Sequence, residues 1–339
     1  FQELKSYYSE KTIFNALNVE CNENRHSAFI AWWLNPKSEH GLGDAPLRLF
    51  LRLAATKSLG EWTFGIDGFD GAFYSRVLAG SYNIEILEDI EVEKNVGKIC
   101  NNNSKDRIDI WTVLELSYEE DGKVDRRIIP VVIENKIYSN EGKGQTERYL
   151  KAVTSYPGVE NAELGPMGIL LTVEPKQPSC NQFDNITYQE LLTYVIEPLV
   201  SNVEPDSAQF VESFIRNLSL PALTNRKYYG AIAMSQKEKR MLQCVVDKNR
   251  EIFDTAFSSL YKHSSVKKIL DKDAKVLSIS DVEVNILRML WDANEDVFKA
   301  VIYHLYKEQH KIALDKLFKS SNRDTSKYIV YHNDQAVFP

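Results

Sequence analysis

Cysteine is scarce and scattered: the 339 residues hold four, Cys21, Cys100, Cys180 and Cys244, and no two form a CxxC pair. Neither a zinc ribbon, a dithiol redox motif nor a disulfide scaffold fits that pattern, and a reducing, cytoplasmic setting is the expectation. No apolar run approaches the roughly 18 residues that cross a bilayer, so no membrane partner is expected. The opening residues, Phe1 to Lys11, mix Glu3, Lys5, Glu10 and Lys11 with tyrosines and lack the basic-then-apolar layout of a secretory signal. A basic excess is missing too. The 41 Lys and Arg face 48 Asp and Glu, a formal charge of −7, so a polyanion would have to be met by a local basic patch or a bound metal. The run Glu141-Gly142-Lys143-Gly144-Gln145-Thr146 lacks the earlier glycine of a phosphate loop, and no Ser or Thr follows its lysine. There is also no G-x-S-x-G, which leaves an ATP site and a serine hydrolase without support.

What is present is a globular composition, 43% hydrophobic and 26% charged, long enough for one large domain or for one domain plus a substantial appendage. Glu23, Ser27, Ile30 and Leu34 recur at helical spacing, so Glu20 to Leu34 reads as a helix that ends at Asn35-Pro36. A second helix is expected after Asp44, with Pro46 in its first turn. From Asn83 to Leu116 the period becomes two (Ile84/Ile86, Ile90/Val92, Ile108/Ile110), and the polar turn Glu119 to Lys123 leads into an apolar strand, Ile128 to Ile137. An antiparallel hairpin is the simplest reading. Gln145 to Tyr156 has helical spacing, and Met167 to Val173 is the continuous apolar run of a strand buried on both faces. The class is therefore α/β: a central mixed sheet flanked by helices over residues 1–225, then a mainly helical C-terminal region over 226–339. That region opens on the capping pattern Ser235-x-x-Glu238; further helices are expected at Asp281 to Trp291 and Glu295 to Phe318, and a strand at Tyr328 to Tyr331.

Charged residues interrupt the apolar strands at three places. Asp109 lies in Asp106-Arg107-Ile108-Asp109-Ile110, while Glu134 and Lys136 lie in Val131-Val132-Ile133-Glu134-Asn135-Lys136. Side chains two apart on a strand share a face, so Glu134 and Lys136 project together, and a hairpin would let Asp109 face Glu134. An unpaired charge there costs several kcal/mol, so these groups need each other or a cation. Two carboxylates with main-chain carbonyls and water suit a hard ion such as Mg²⁺ (or Mn²⁺), and the lysine adds a positive charge beside a reacting phosphate. A structural salt bridge at a sheet end is the plain alternative. Gln145 and Tyr149, four apart, share a helix face, and Lys143 and Arg148 are available for phosphates.

These residues resemble the PD-(D/E)XK nuclease superfamily, with Ile108 in place of proline before Asp109 and with Glu134-Asn135-Lys136 as the second motif. Gln145-x-x-x-Tyr149 is similar to the extra motif of the RecB-like branch. Glu23-Asn24-Arg25-His26-Ser27, Ala31 to Pro36 and His40 to Gly43 are similar to the N-terminal signature of one bacterial family in that superfamily. The resemblance implies a restriction-endonuclease-like core and a metal-dependent nuclease whose partner is nucleic acid, with DNA expected. It further implies that Asp109, Glu134 and the Asn135 carbonyl hold the metal, that Lys136 positions the attacking water and that Glu23 completes the catalytic set. Gln145, Tyr149 and Arg25 would steady the site or touch the substrate. The alternative function is a catalytically inactive nucleic-acid-binding or interaction module on the same core. His26 and His40 have no partners at ligand spacing and read as structural histidines.

Overall fold

The computed structural model describes residues 2–58, 71–99, 105–120, 122–154, 166–219 and 231–251. The segments expected at Asp281 to Trp291, Glu295 to Phe318 and Tyr328 to Tyr331, and the expected domain limit at 225/226, lie outside them. The chain divides into two compact units, Ile13–Asn217 and Phe1–Thr12 with Leu218–Pro339.

The larger unit is built on a five-stranded mixed sheet whose spatial order follows the chain: β1 (Asn83–Asn95), β2 (Arg107–Glu120), β3 (Lys123–Lys136), β4 (Met167–Thr172) and β5 (Phe183–Thr187). The first three strands run antiparallel, and β4 and β5 continue parallel to β3. The β2–β3 hairpin closes with Glu120 opposite Lys123, and Gly122 takes the left-handed conformation (φ 74°) that such a tight turn demands. Pro130 sits in β3 opposite Val113, one residue before the pairing with β4 begins at Val131. A proline lacks the N–H for a second ladder, so it is tolerated where β3 has a single neighbour. All six residues of β4 are buried, as its unbroken apolar run requires. On β4, Gly168 faces Phe183 so closely that a Cβ there would stand 2.5 Å from the ring.

In chain order the described helices include α1 (Gln2–Ser9), α2 (Ile13–Ala16), α5 (Gly71–Ala79) and α6 (Val96–Ile99) besides those placed next, and helices cover both faces of the sheet. On one side α7 (Gln145–Val153) packs Tyr149 and Ala152 against Trp111, Val132 and Phe183. On the other lies α3 (Glu23–Leu34), with α4 (Ala45–Ser58) and the short α8 (Tyr188–Leu191) beside it. The sequence pattern extends α3 back to Glu20, but Asn22 ends it there: its side chain accepts the Arg25 N–H at 3.1 Å, which is N-cap geometry. The far end stops at Leu34 with the Asn35 N–H bonded to Trp32, as Pro36 dictates.

The strand β1 is less regular than its period-two pattern predicts. Register shifts occur between Ile86 and Glu88 and between Glu88 and Glu91, and Val92, read as half-buried, is exposed. It is an edge strand, so only one flank holds it in register.

In the second unit Leu4, Tyr8, Ile232, Met234, Leu242 and Val246 are buried, and the described C-terminal helix spans Gln236–Lys248. Ser235 caps it by accepting from the Glu238 N–H at 3.1 Å, while the Glu238 carboxylate accepts from the Tyr8 hydroxyl at 2.6 Å.

Candidate active site

The charged residues of β2 and β3 converge at one end of the sheet. Extending the Ile110–Ile133 register by one step sets Asp109 opposite Glu134, and the Asn135 N–H donates to Asp109 Oδ2 at 2.7 Å. Lys136 Nζ forms an ion pair with Glu134 Oε1. Glu134 is fully buried and the Lys136 side chain is 12% exposed, so the pair is screened little by water. Ile133 and Ile137 are buried, with Ile133 in the opposite layer as strand alternation requires.

Glu23 enters from the first turn of α3. Its Oε1 accepts from the Ile137 N–H and from the Ser139 hydroxyl, both at 2.8 Å, which fastens the helix to the end of β3 just past Lys136. The Asn135 side chain makes the second fastening. Its Nδ2 donates to the Glu23 carbonyl (3.1 Å) and to Ser27 Oγ (3.0 Å), and its Oδ1 accepts from the Tyr188 hydroxyl (2.8 Å). Across the sheet, Gln145 Nε2 donates to the Tyr149 hydroxyl at 2.7 Å, and that hydroxyl in turn donates to the Arg107 carbonyl. Gln145 and Tyr149 thus tie α7 to the start of β2, immediately beside Asp109.

Burial and like charge dominate the electrostatics here. Burial first, then the Asp109 charge, holds the Glu134 carboxyl well above the ordinary range, despite the ammonium of Lys136. Burial also raises Asp109, against the pull of the Asn135 N–H and Lys136, and the nearby Glu93 and Glu23 push the same way. Burial alone would depress Lys136, yet Glu134 and the other acids outweigh it and raise its pKa. Glu134 Oε2 is buried and has no hydrogen-bond partner among the described residues; the nearby Tyr149 hydroxyl, the smallest of the influences that lower the Glu134 pKa, donates to the Arg107 carbonyl. An orphaned carboxylate oxygen beside a second raised carboxyl is where a cation would be stabilising. Asp109 and Glu134 offer only oxygen donors, the kind that a hard divalent ion retaining several waters would accept. No group of three or more His, Cys, Asp or Glu among the described residues is arranged to hold a metal.

The other expected residues divide. Arg25 and Lys143 are exposed. Arg148 is not the free cation that the sequence suggests: its Nε and Nη2 donate to Asp106 (2.7 and 3.4 Å) and its Nη1 to the Lys143 carbonyl (2.6 Å). It braces α7 against β2. His26 is buried, with Nε2 bonded to the Glu20 carbonyl at 2.8 Å, and burial lowers its pKa to about 4, so it is a neutral structural residue. His40 likewise is buried and accepts from the Leu42 N–H at 3.0 Å.

Two site residues escape a reading of the sequence. Glu93, bracketed by the pairs Val92–Ile110 and Lys94–Ile108, lies across from Asp109 in a left-handed conformation (φ 55°) and pairs with Arg107 at 3.5 Å. Tyr188 follows Thr187, whose reciprocal cap with Glu190 is the T-x-x-E signal of a helix start. That signal locates α8 but not the hydroxyl's target.

The family model of the PD-(D/E)XK nuclease superfamily matches residues 11–216. The chain belongs to that superfamily. The match spans α3, the whole sheet and both motif strands, so the five-stranded mixed sheet flanked by helices is the superfamily's restriction-endonuclease-like core. Comparison with curated proteins and with solved structures yields no match. No helix among the described residues is long and apolar enough to cross a membrane.

Proposed function

We propose that the protein is a metal-dependent nuclease that hydrolyses DNA phosphodiester bonds, with Mg²⁺ or Mn²⁺ held by Asp109, Glu134 and the carbonyl of Asn135. The observation that carries this reading is the fully buried Glu134, opposite Asp109 and paired with Lys136, with one carboxylate oxygen left without a partner. The bound ion supplies Lewis acidity toward the phosphate and lowers the pKa of water. The chain supplies the rest. Lys136, fixed by Glu134 and only slightly exposed, orients the attacking water and offers its charge to the phosphoryl oxygens as negative charge builds on them. Glu23 is locked to the end of β3 and holds its carboxyl beside Lys136. Gln145 and Tyr149 fix the approach of α7, and the likeness to the RecB-like branch rests on them. Arg25 and Lys143, exposed near this end of the sheet, are suited to backbone phosphates. The acids outnumber the lysine, so a divalent ion is also what lets a polyanion approach a protein of net charge −7.

The test uses the full chain with single-stranded, duplex and nicked DNA, and with RNA, in Mg²⁺, Mn²⁺ or EDTA. Cleavage of DNA with either metal and none in EDTA is expected, and Asp109→Ala and Lys136→Ala should each lower it at least about a hundredfold with folding intact. Binding without turnover under every condition would establish the inactive binding module instead, and full activity in either variant would remove these residues from the mechanism.

A further inference from the structure

We propose that the Asn135 side-chain amide, locked by Tyr188 and Ser27, is the positioning device that sets the distance between the acid of α3 and the charged residues of β2 and β3. This rests on the nuclease reading and adds residues to it.

Asn135 is completely buried and every polar atom of its side chain is used. Its two amide hydrogens go to the Glu23 carbonyl and to Ser27 Oγ, and its oxygen accepts from Tyr188. Rotating the amide by half a turn would set its oxygen against the Glu23 carbonyl oxygen, so one orientation is enforced. The same residue's main-chain N–H holds Asp109 at 2.7 Å. It stands between Glu134 and Lys136 in the sequence. One residue therefore touches the acid-bearing turn of α3 through its side chain and the acid of β2 through its backbone. The Glu23 carboxylate completes the brace at Ile137 and Ser139.

Tyr188 is itself immobilised. It opens α8 directly after the Thr187–Glu190 reciprocal cap, it is fully buried, and the His26 ring meets it edge-on at 5.6 Å. Removing its hydroxyl leaves Asn135 Oδ1 buried and unsatisfied, and takes away one of the three contacts that fix the amide between α3 and β3. The fold has other support in the sheet and its helices, whereas the metal donors depend on placement within a fraction of an ångström. Partners one step removed from metal ligands commonly alter affinity about 10- to 100-fold.

The experiment compares Tyr188→Phe and Ser27→Ala with Phe73→Leu, a buried change in the helix Gly71–Ala79 that serves as a control for simple destabilisation. Mn²⁺ binding to the metal-free full chain is measured by calorimetry without DNA, and kcat and KM are measured for DNA cleavage. Tyr188→Phe and Ser27→Ala should each weaken Mn²⁺ binding and lower kcat by about tenfold, with KM within about twofold. Phe73→Leu should change neither, even with an equal loss of Tm. If Tyr188→Phe does not fold, Ser27→Ala carries the same comparison. Wild-type Mn²⁺ affinity in the folded variants, or a loss matched by Phe73→Leu, would overturn the positioning role. A wild-type chain that binds Mn²⁺ but never cleaves would sink the nuclease reading while the titration still decides the role of Asn135. A chain that binds no Mn²⁺ would sink both.

Discussion

Glu134 is placed against the interest of stability. A buried carboxylate with an orphaned oxygen beside a second acid raises the energy of the folded protein whenever no cation is bound. Glu134→Gln should therefore raise the Tm of the metal-free protein by a few degrees, from about 1 kcal/mol of relieved repulsion, while cleavage falls at least about a hundredfold. A melt in EDTA and a cleavage assay check both halves. The pH dependence follows in sign. Asp109 and Glu134 have folded-state pKa values raised above the unfolded ones, so their contribution is fully present below the ordinary carboxylate range and is lost as pH rises through the raised values. Melts of wild type in EDTA should lose stability over that interval, and saturating Mn²⁺ or Glu134→Gln should flatten the loss. At this scale the sequence was legible where charge broke an apolar run: Asp109, Glu134 and Lys136 stand out because burial there demands a reason. Glu93 and Tyr188 did not, since one depends on the register of an irregular edge strand and the other on a contact 53 residues away in the chain.

At the scale of elements, close packing of β4 on β5 allows a direct test. A Cβ on Gly168 would meet the Phe183 ring at 2.5 Å, and a ring in the core cannot yield without disturbing Trp111 and Tyr149. Gly168→Ala should destabilise the protein by about 1–3 kcal/mol, read as a lower urea midpoint with an unchanged m-value. The β2–β3 hairpin, α3, α4, α7 and β4 were all readable from period, caps and turn residues. The strand β5 was not: Phe183–Thr187 is five residues long and carries Asp184 and Asn185, which are poor strand formers, so its pairing with β4 decides its conformation. The exact start of α3 was missed by three residues because the periodic pattern ran past Asn22, whose side chain makes the cap.

For the whole molecule, the net charge of −7 sets the terms on which a polyanion binds. Exposed cations near the site should govern capture more than chemistry. Lys143→Ala should raise KM for DNA a few-fold, leave kcat within about twofold and make the dependence of KM on salt shallower, which steady-state kinetics at two or three ionic strengths would show. Arg148, tied to Asp106, should not share this behaviour. Composition gave the globular class, but the division into the units Ile13–Asn217 and Phe1–Thr12 with Leu218–Pro339 arises from contacts between distant segments that no local pattern announces.

The β2–β3 ribbon has a practical use. Its last residue on β2, Glu120, lies eleven residues beyond Asp109, a separation of roughly 36 Å at the rise of an extended strand, and β4 borders β3 only from Val131 onward. A short peptide tag inserted between Glu120 and Lys123 should thus leave Mn²⁺ affinity and kcat within about twofold of wild type. The hairpin tip then becomes a handle for surface attachment or a fluorophore, set apart from the candidate active site at the other end of the ribbon.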